Sequence, residues 1–258
     1  MAELILSADE RLDYVNEKIT LIQKKDGLTF GTDAFLLAAF IKPQKYVNAV
    51  ELGAGTGIIS LLCAAREKFA HIDAFEIQKD FYEITDRNIR YNKLEDRVTA
   101  VNDDIRNINA KTLGREVDVV FSNPPYMRTT SGKLNDSDRK YIARHEVCGG
   151  IEDFCGAAYK ALKHGGKFYC VWRPDRLTSL LNAMNKNHLE PKCMVFVHSD
   201  EDAEPSMVLV SAIKGGAEGL KILPPLFLNE KISDGEKGSA RKMTARAQKI
   251  YDTMSFGE

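Results

Sequence analysis

Hydrophobic positions along the chain fall into two alternating patterns, which predict strands and helices in turn. Short apolar runs bounded by polar or glycine residues are typical of buried strands, whereas apolar residues that recur every three or four positions are typical of helices that cover a sheet. The strand patterns cover residues 46–52, 71–77, 97–101, 117–122 and 167–172. The helix patterns between them cover residues 58–69, 80–92, 151–162 and 175–187. This alternation predicts a doubly wound α/β fold built on a mostly parallel sheet.

Two more strand patterns close this alternating region. They cover residues 193–197 and 206–213 and flank an acidic turn, so they are expected to form an antiparallel pair at one edge. The sequence therefore predicts a seven-stranded sheet, mostly parallel, with an antiparallel edge strand. Gly165 and Gly166 follow the third predicted helix and are expected to end it.

The two ends of the chain differ from the middle. Residues 19–23 predict a strand and residues 24–27 a hairpin-like turn, and a short helix follows at 34–41 with Thr32 or Asp33 as its cap. The expected organisation is an N-terminal extension over 1–42, a main domain over 43–214 and a basic C-terminal extension, here called the tail, over 215–258.

Composition and charge narrow the class of protein. With 258 residues, of which 44% are hydrophobic, the chain can bury a full core as one large domain with extensions. Its formal net charge of −1 means that any contact with nucleic acid depends on local basic patches. The sequence shows neither a charged leader followed by an apolar run nor a long apolar stretch, so a cytoplasmic protein without a membrane segment is expected.

The cysteines carry no recognisable metal or disulfide pattern. They form no C-x-x-C pair and no pairing with histidine at metal-ligand spacing, so they are expected to be reduced thiols that mostly fill the core. They are Cys63, Cys148, Cys155, Cys170 and Cys193. The sequence predicts no metal site.

The tetrapeptide Asn123-Pro124-Pro125-Tyr126 carries the most specific chemistry in the chain. It follows the strand pattern 117–122 and so lies at the carboxyl end of a strand, where open α/β sheets bind ligands. Two prolines fix φ and remove backbone donors, which leaves nearby carbonyls to accept other hydrogen bonds. An amide, a carbonyl and an aromatic ring suit a flat group that carries an NH2, such as adenine, cytosine or a glutamine amide. The alternative is a rigid turn without chemistry.

A glycine-rich turn, Gly53-Ala54-Gly55-Thr56-Gly57, follows the first strand of the alternating region. Such a turn lets a ligand approach the backbone at the start of a helix. A dinucleotide fingerprint would have its third glycine one position later, where this chain has Ile58. Glu51, just before the turn, suits a cationic ligand better than a phosphate. Both features favour S-adenosylmethionine, which carries a sulfonium and an ammonium group.

Three residues at or beyond the ends of the next two predicted strands are candidates for the remaining cofactor contacts. Glu76 ends the second strand, where an acid would hold both ribose hydroxyls in a NAD or S-adenosylmethionine site alike. After the third strand, Asp104 can accept a hydrogen bond from the exocyclic amine of adenine, and Ile105 can lie beneath the ring. The alternative role for Asp104 is a helix cap.

Methyl transfer to an amine would explain two acceptors aimed at one group. The amine nitrogen of adenine is a poor nucleophile because its lone pair is delocalised into the ring. If the Asn123 side-chain oxygen and the Pro124 carbonyl each accept one N–H, the nitrogen pyramidalises and its lone pair points at the sulfonium methyl. Stacking of Tyr126 on the base contributes about 1–3 kcal/mol. The target must be single-stranded, looped or flipped out, because base pairing hides the amine.

The chain resembles class I S-adenosylmethionine-dependent methyltransferases, which have a Rossmann-like fold. The resemblance rests on Gly31-Thr32-Asp33, the segment 51–57, Glu76, Asp104 and the Asn-Pro-Pro-Tyr motif, in this order. More narrowly, the chain resembles the bacterial tRNA adenine-N6 methyltransferases that modify a valine tRNA at the adenine beside the anticodon. The more specific parts are the lead-in that runs from Ile22 into Gly31-Thr32-Asp33 and the element Ala143-Arg144-His145-Glu146.

This resemblance spans roughly residues 10–215 and implies methylation of the N6 amine of an adenine in a tRNA anticodon loop, with tRNA as the partner. Gly31-Thr32-Asp33, otherwise a helix cap, would close the cofactor pocket. Arg144 would lie near RNA phosphate and brace the loop after Tyr126 together with Glu146; a surface ion pair is the alternative. The tail would be a tRNA docking arm, or else a helix packed on the body.

Other activities share this chemistry and stay open. A glutamine-N5 methyltransferase of release factors uses the same motif, because an amide is also an NH2 on an sp2 carbon. Those enzymes carry a helical domain before the cofactor turn, where this chain has about fifty strand-rich residues. DNA adenine-N6 methylation is a second alternative. A non-catalytic RNA-binding module is a third, although binding alone would not need two acceptors at Asn123 and Pro124 aimed at one amine.

Overall fold

Strands and helices alternate in the computed structural model, which describes residues 6–25, 31–125, 149–231 and 241–257. The strands are β1 (Glu10–Asn16), β2 (Ile19–Lys24), β3 (Asn48–Leu52), β4 (His71–Phe75), β5 (Val98–Val101), β6 (Val117–Ser122), β7 (Leu162–Trp172), β8 (Leu189–His198), β9 (Pro205–Lys214), β10 (Lys221–Ile222) and β11 (Leu226–Phe227). The helices are α1 (Thr32–Phe40), α2 (Ile58–Ala65), α3 (Lys79–Tyr91), α4 (Ala110–Leu113), α5 (Ile151–Ala161), α6 (Leu177–Lys186) and α7 (Ala245–Thr253). The 3₁₀ turns are Ile105–Asn107 and Pro174–Arg176.

The main sheet has the strand order β10-β8-β9-β7-β6-β3-β4-β5, and β11 also pairs with β8. Strand β3 pairs in parallel with β4 on one side and with β6 on the other. The chain therefore winds outward from β3 in both directions, which confirms the doubly wound fold. Strand β9 is antiparallel to both β7 and β8. The antiparallel strand β9 thus lies inside the sheet rather than at its edge, because β8 and then β10 and β11 continue beyond it. The sheet has nine strands rather than the expected seven.

Both faces of the sheet are buried under helices. Along β6, Val119 and Phe121 face the core beneath α1 and α2, and Val120 faces the core beneath α5 and α6. This explains the continuous apolar run of that strand, because a strand covered on both faces has no solvent side. Among the described helices, none is long and apolar enough to cross a membrane.

The N-terminal segment differs from its prediction. Strand β1 pairs antiparallel with β2, so the hairpin precedes β2, and Lys24, expected in a turn, belongs to that strand. Strand β1 was not predicted, although polar and apolar residues alternate over 11–14 in the sequence. The apolar side chains of Leu12 and Tyr14 are both exposed. The expected cap of α1 is also wrong, because Gly31 is the N-cap without a side-chain hydrogen bond and the helix already begins at Thr32.

The role expected for Gly165 and Gly166, to end the third predicted helix, is wrong as well. Helix α5 ends at Ala161 and β7 begins at the next residue, so Gly165 and Gly166 lie within the strand. A Cβ on Gly166 would stand 3.1 Å from the carbonyl oxygen of Asp118. It would also stand 2.8 Å from the carbonyl oxygen of Lys163, so glycine at this position serves the start of β7 itself as well as its approach to β6.

The tail is part of the folded body where the structure describes it. Strands β10 and β11 pair in parallel with β8. Helix α7 buries Ala247 and Ile250, and its Tyr251 stacks on Phe35 of α1 with ring centroids 4.3 Å apart. Residues 245–253 are therefore a helix packed on the body, which was the alternative to a docking arm.

A buried lysine ties the tail to α1. The Lys68 ammonium donates hydrogen bonds to the carbonyls of Ala38 at 2.7 Å, Ile41 at 2.6 Å and Met254 at 3.1 Å. These carbonyls end α1 and α7, where backbone acceptors lack partners and a positive charge is favourable. Burial lowers the pKa of Lys68.

The described cysteines are free thiols. Cys63, Cys155 and Cys170 are buried in the core, and Cys193 is half buried. Burial raises the pKa of Cys63 and of Cys155 to about 12, so both remain protonated. Cys148 lies outside the described residues.

Candidate active site at the carboxyl edge of the sheet

Strand register brings the predicted site residues together. Leu52 at the end of β3 pairs with the last residue of β4 on one side and with Ser122 of β6 on the other. Gly53, Glu76 and Asn123 therefore leave three neighbouring strands side by side. The chain winds away from β3 and β6 in opposite directions, so this edge is the topological switch point, where such folds bind ligands.

The glycine turn uses its glycines for two different purposes. Gly53, Gly55 and Gly57 have φ values of 71°, 59° and 80°, a left-handed conformation that glycine adopts without strain. A Cβ on Gly57 would stand 2.8 Å from Cγ2 of Thr85, whereas a Cβ on Gly55 would meet nothing within 4 Å. Gly57 thus allows close packing on α3, and Gly55 leaves an open backbone surface.

Helix α3 supports this turn through polar side chains on its buried face. Thr85 Oγ1 donates to the Gly55 carbonyl at 2.7 Å, and Asn88 Nδ2 donates to the Thr56 carbonyl at 2.9 Å. Asn88 Oδ1 also accepts from the backbone N–H of Ile22 in β2 at 2.7 Å. Sequence reasoning missed both residues. Polar side chains on the apolar face of a predicted amphipathic helix were the available signal, because buried polar groups need partners.

Glu76 lies directly against the glycine turn. Its Oε2 accepts from the Gly55 N–H at 2.9 Å and its Oε1 from the Gln78 N–H at 2.8 Å. The side chain is only 4% exposed, and burial raises the pKa of its carboxyl. The position expected for a ribose-binding acid is therefore occupied by a buried carboxylate that also orders the turn.

Glu51 lies beneath the turn rather than on its surface. The carboxyl is 1% exposed, and Oε2 accepts hydrogen bonds from the backbone N–H of Ser60 at 3.1 Å and from its hydroxyl. Burial raises the pKa of Glu51 to about 8, and the nearby Glu76 carboxyl adds to this shift. A pKa raised in this way favours the protonated form of Glu51 at neutral pH when no cation is near.

Asp104 and Ile105 follow β5 at the same edge. Asp104 caps the 3₁₀ turn by accepting from the Arg106 N–H at 2.9 Å, and it forms an ion pair with the Arg106 guanidinium. The side-chain hydrogen bonds from Arg106 lower the pKa of Asp104. Ile105 is buried in the core. The capping alternative for Asp104 is thus realised, and its contact with an adenine amine stays a prediction.

Asn123 and the prolines emerge where β6 ends. The Ser122 hydroxyl donates to the Leu52 carbonyl at 2.7 Å and fixes the end of β6 to the end of β3. Asn123 is partly exposed, Pro124 is buried and Pro125 is partly buried. The Asn123 Nδ2 donates to Asp33 Oδ2 at 2.8 Å, a contact between residues 90 positions apart that the sequence did not predict.

The segment Gly31-Thr32-Asp33 begins α1 next to this edge. Asp33 Oδ1 accepts from the Ala34 N–H at 2.9 Å, while its other oxygen contacts Asn123. Thr32 shares a side-chain hydrogen bond with Tyr251 of α7, and burial raises the pKa of that tyrosine. The segment thus lies beside Asn123, and its role in closing the cofactor pocket stays a prediction.

Two predicted site residues, Tyr126 and Arg144, lie outside the described residues, as does the loop 127–145. Their roles remain sequence-based predictions. In the part of the chain that the structure does describe, no three His, Cys, Asp or Glu side chains are grouped so that they could hold a metal ion.

Comparison with known proteins identifies the family of the chain. The family model of the methyltransferase small domain matches residues 24–189. The tRNA1(Val) (adenine(37)-N6)-methyltransferase of Phocaeicola vulgatus is 31% identical over 195 residues, which is 76% of this chain and 81% of the relative. The enzyme of the same name from Bacteroides fragilis is 28% identical over the same shares of both chains.

Solved structures share the fold at lower identity. A predicted O-methyltransferase from Agrobacterium tumefaciens superposes with a TM-score of 0.68 at 21% identity, covering 87% of this chain and 97% of that chain. TYW2 of M. jannaschii, solved in complex with AdoMet, superposes with a TM-score of 0.54 at 17% identity, covering 81% and 87%. Together with the site geometry, the family match and the sequence relatives show that the chain belongs to the methyltransferase small domain family and, within it, to the family of the tRNA1(Val) (adenine(37)-N6)-methyltransferases.

Proposed function

We propose that this protein transfers a methyl group from S-adenosylmethionine to the exocyclic N6 amine of adenine 37 in a valine tRNA. The relatives named above carry that activity in their names. The observation that carries the proposal is the placement of Asn123 and Pro124 directly after β6, next to the glycine turn after β3. Direct methyl transfer needs groups that hold the amine next to the turn that holds the cofactor, and here both lie at the ends of neighbouring strands.

The residues at the glycine turn fit S-adenosylmethionine. Gly55 leaves open space where any other residue would place a side chain, and the buried Glu76 carboxyl is hydrogen-bonded to that same turn. Glu76 would hold the ribose hydroxyls, Asp104 and Ile105 would hold the adenine ring, and Glu51 would balance the cationic part. When bound, the cofactor supplies a methyl group activated on a sulfonium.

Asn123 and Pro124 would act on the acceptor amine. The Asn123 side-chain oxygen and the Pro124 carbonyl oxygen each accept one N–H, which directs the nitrogen lone pair out of the base plane. As the amine is methylated, positive charge grows on its nitrogen, and the two oxygens stabilise that charge before a proton leaves to water. Both contacts strengthen towards the transition state, so they raise the rate rather than the affinity.

The tRNA side of the site rests on residues outside the described ranges. Tyr126 is proposed to stack on the adenine and Arg144 to contact a nearby phosphate. Stacking requires an unpaired base, which an anticodon loop provides. Action on tRNA implies a cytoplasmic location.

Parallel acceptor assays test the proposal. The purified protein is incubated with labelled S-adenosylmethionine and, separately, with total tRNA, total DNA and a release factor. Of the three acceptors, only tRNA is expected to become labelled. A valine tRNA transcript should also be labelled, whereas the same transcript with guanine at position 37 should stay at background level. Label in DNA or the release factor but not in tRNA would replace the proposed substrate.

A further inference from the structure

Building on the proposed methyl transfer, we propose that Asp33 is a positioning residue that fixes the orientation of the Asn123 amide and increases the negative charge on its oxygen. The sequence suggested a different role for Asp33, as part of a wall that closes the cofactor pocket. The structure places its carboxylate 2.8 Å from the Asn123 amide nitrogen, a contact that the sequence did not predict.

The chemistry of the two groups determines which way the amide faces. A carboxylate oxygen accepts hydrogen bonds and donates none, so only the NH2 end of Asn123 can face Asp33. Turning the amide over would bring two oxygens together and leave a partly buried carboxylate without this donor. The terminal torsion of asparagine has no strong preference of its own. The contact with Asp33 therefore favours one orientation, in which the Asn123 oxygen is directed away from Asp33.

Asp33 is itself held in place by its surroundings. Its second oxygen accepts from the Ala34 N–H at 2.9 Å in the first turn of α1. A Cβ on Gly31 would stand 2.8 Å from that oxygen, so glycine at this position leaves room for the carboxylate. The helix that carries Asp33 is buried from Ala34 to Phe40. A rigid helix thus delivers a fixed acceptor to the end of β6.

A charged acceptor also changes the amide that it holds. Hydrogen bonds to ionised groups are stronger than neutral ones, and linked hydrogen bonds polarise one another in a partly buried site. The Asp33 charge therefore draws positive charge to the Asn123 nitrogen and leaves more negative charge on its oxygen. That oxygen would face the amine nitrogen as positive charge grows there, so the benefit appears in the transition state and in kcat.

Kinetics of single and double variants test this role. Asp33→Ala is expected to lower kcat about 10- to 100-fold, less than the roughly 10²–10³ of a lost direct contact, with the dissociation constant for S-adenosylmethionine unchanged within about twofold. Asp33→Asn keeps an acceptor oxygen, so its kcat is expected to lie between those of Asp33→Ala and the wild-type protein. Gly31→Ala keeps the charge but displaces the carboxylate, so its kcat should also fall. Asp33→Ala combined with Asn123→Ala should be no slower than Asn123→Ala alone.

The matched control is Asp96→Ala, which removes an exposed acid from the turn before β5, at the opposite edge of the sheet from Asn123. It is expected to leave kcat unchanged. Thermal unfolding of each variant checks folding, and the isosteric Asp33→Asn serves if Asp33→Ala does not fold.

The inference is overturned if Asp33→Ala weakens cofactor binding with kcat intact, or if the losses of the single variants multiply in the double variant. All variants are measured on whichever of the three acceptors the wild-type protein methylates. A wild-type protein that leaves tRNA unmodified therefore contradicts the proposed substrate, whereas additive losses contradict the positioning role alone.

Discussion

The carboxylate of Glu76 accepts a hydrogen bond from the backbone N–H of Gly55 at 2.9 Å, which joins the acid after β4 to the glycine turn after β3. The same carboxylate is buried at the edge where the sheet changes winding direction. An acid in this position can order the turn and hold ribose hydroxyls at once, which makes it the strongest candidate for cofactor affinity.

Replacement of Glu76 is therefore expected to weaken cofactor binding. Glu76→Ala removes charge-assisted hydrogen bonds worth about 1.5–3 kcal/mol, so S-adenosylmethionine should bind roughly 10- to 150-fold more weakly in titration calorimetry. Glu83→Ala, which removes an exposed acid of α3, should leave the affinity unchanged. Equal affinity of wild type and Glu76→Ala would reassign the ribose contact to another residue.

Removal of the Asn123 amide is expected to affect the chemical step. Asn123→Ala should fold and bind the cofactor normally but slow methyl transfer by about 10²–10³, the loss typical of one transition-state contact. Asn48→Ala is a suitable control, because Asn48 begins β3 at the opposite end of the sheet. Single-turnover assays separate the two variants, and wild-type turnover in Asn123→Ala would contradict the proposed mechanism.

Periodicity predicted the sheet because its strands are buried on both faces. The bounds of β6 match the expected residues, and the glycine turn, Glu76 and Asn123 could be assigned to one edge, since parallel strands end together. The cap of α1 was not predictable in the same way. Thr32 and Asp33 both have side chains that favour a cap, but Thr32 is hydrogen-bonded to Tyr251 and Asp33 to Asn123.

Polar contacts between distant elements were beyond sequence reasoning. Lys68 donates to carbonyls at the ends of α1 and α7, including that of Met254, which is 186 residues away in the chain. Asn88 joins β2 to the glycine turn. Lys68 looks like an ordinary surface residue in the sequence. The place of Asn88 on the apolar face of α3 signals a buried polar group, but spacing along one element does not tell which backbone groups of another element will need a partner. The burial of Glu51 beneath the glycine turn was likewise not predicted from the sequence.

The buried Glu51 carboxyl predicts a specific pH dependence of stability. Its pKa rises from 4.5 to about 8 on folding, so between these values the folded state holds a proton that the unfolded state has lost. The free energy of unfolding should therefore fall as pH rises from about 4.5 to about 8 and level off above. Glu51→Gln mimics the protonated form and should remove this component of the slope in denaturant titrations. An unchanged slope would mean that Glu51 is ionised in the folded protein.

Cofactor binding should change the protonation of Glu51 if this residue balances the positive charge of the cofactor. A cation nearby favours the ionised carboxylate, so binding at pH 7 should release a proton from the wild-type protein. Calorimetry in two buffers with different ionisation enthalpies measures that release. Glu51→Gln should bind more weakly and release none. Binding without proton release in the wild type would place the cationic group away from Glu51.

Helix α7 allows the structural role of the tail to be tested separately from a role in tRNA binding. Tyr251→Ala removes a partly buried ring stacked on Phe35 and should lower the free energy of unfolding by about 2 kcal/mol. Arg241→Glu with Lys249→Glu changes exposed charges and should leave unfolding unchanged. If the tail also contacts tRNA, this charge-reversal variant will bind tRNA more weakly, and the loss will diminish at high salt. Normal tRNA binding by the folded variant would restrict the tail to its structural role.

Gly57 and Thr85 form a pair whose coupling can be measured directly. Gly57→Ala places a side chain at φ 80° and a Cβ 2.8 Å from Thr85 Cγ2, so it should cost about 1–2 kcal/mol for the backbone conformation and more for the overlap. Thr85→Ser removes that methyl group but keeps the hydroxyl that donates to Gly55. The double variant should therefore unfold at a higher temperature than Gly57→Ala alone. Gly55→Ala, with nothing within 4 Å of its Cβ, is the matched control that carries the backbone cost alone. If Thr85→Ser gives Gly57→Ala no recovery, close contact with α3 is not what requires glycine at position 57.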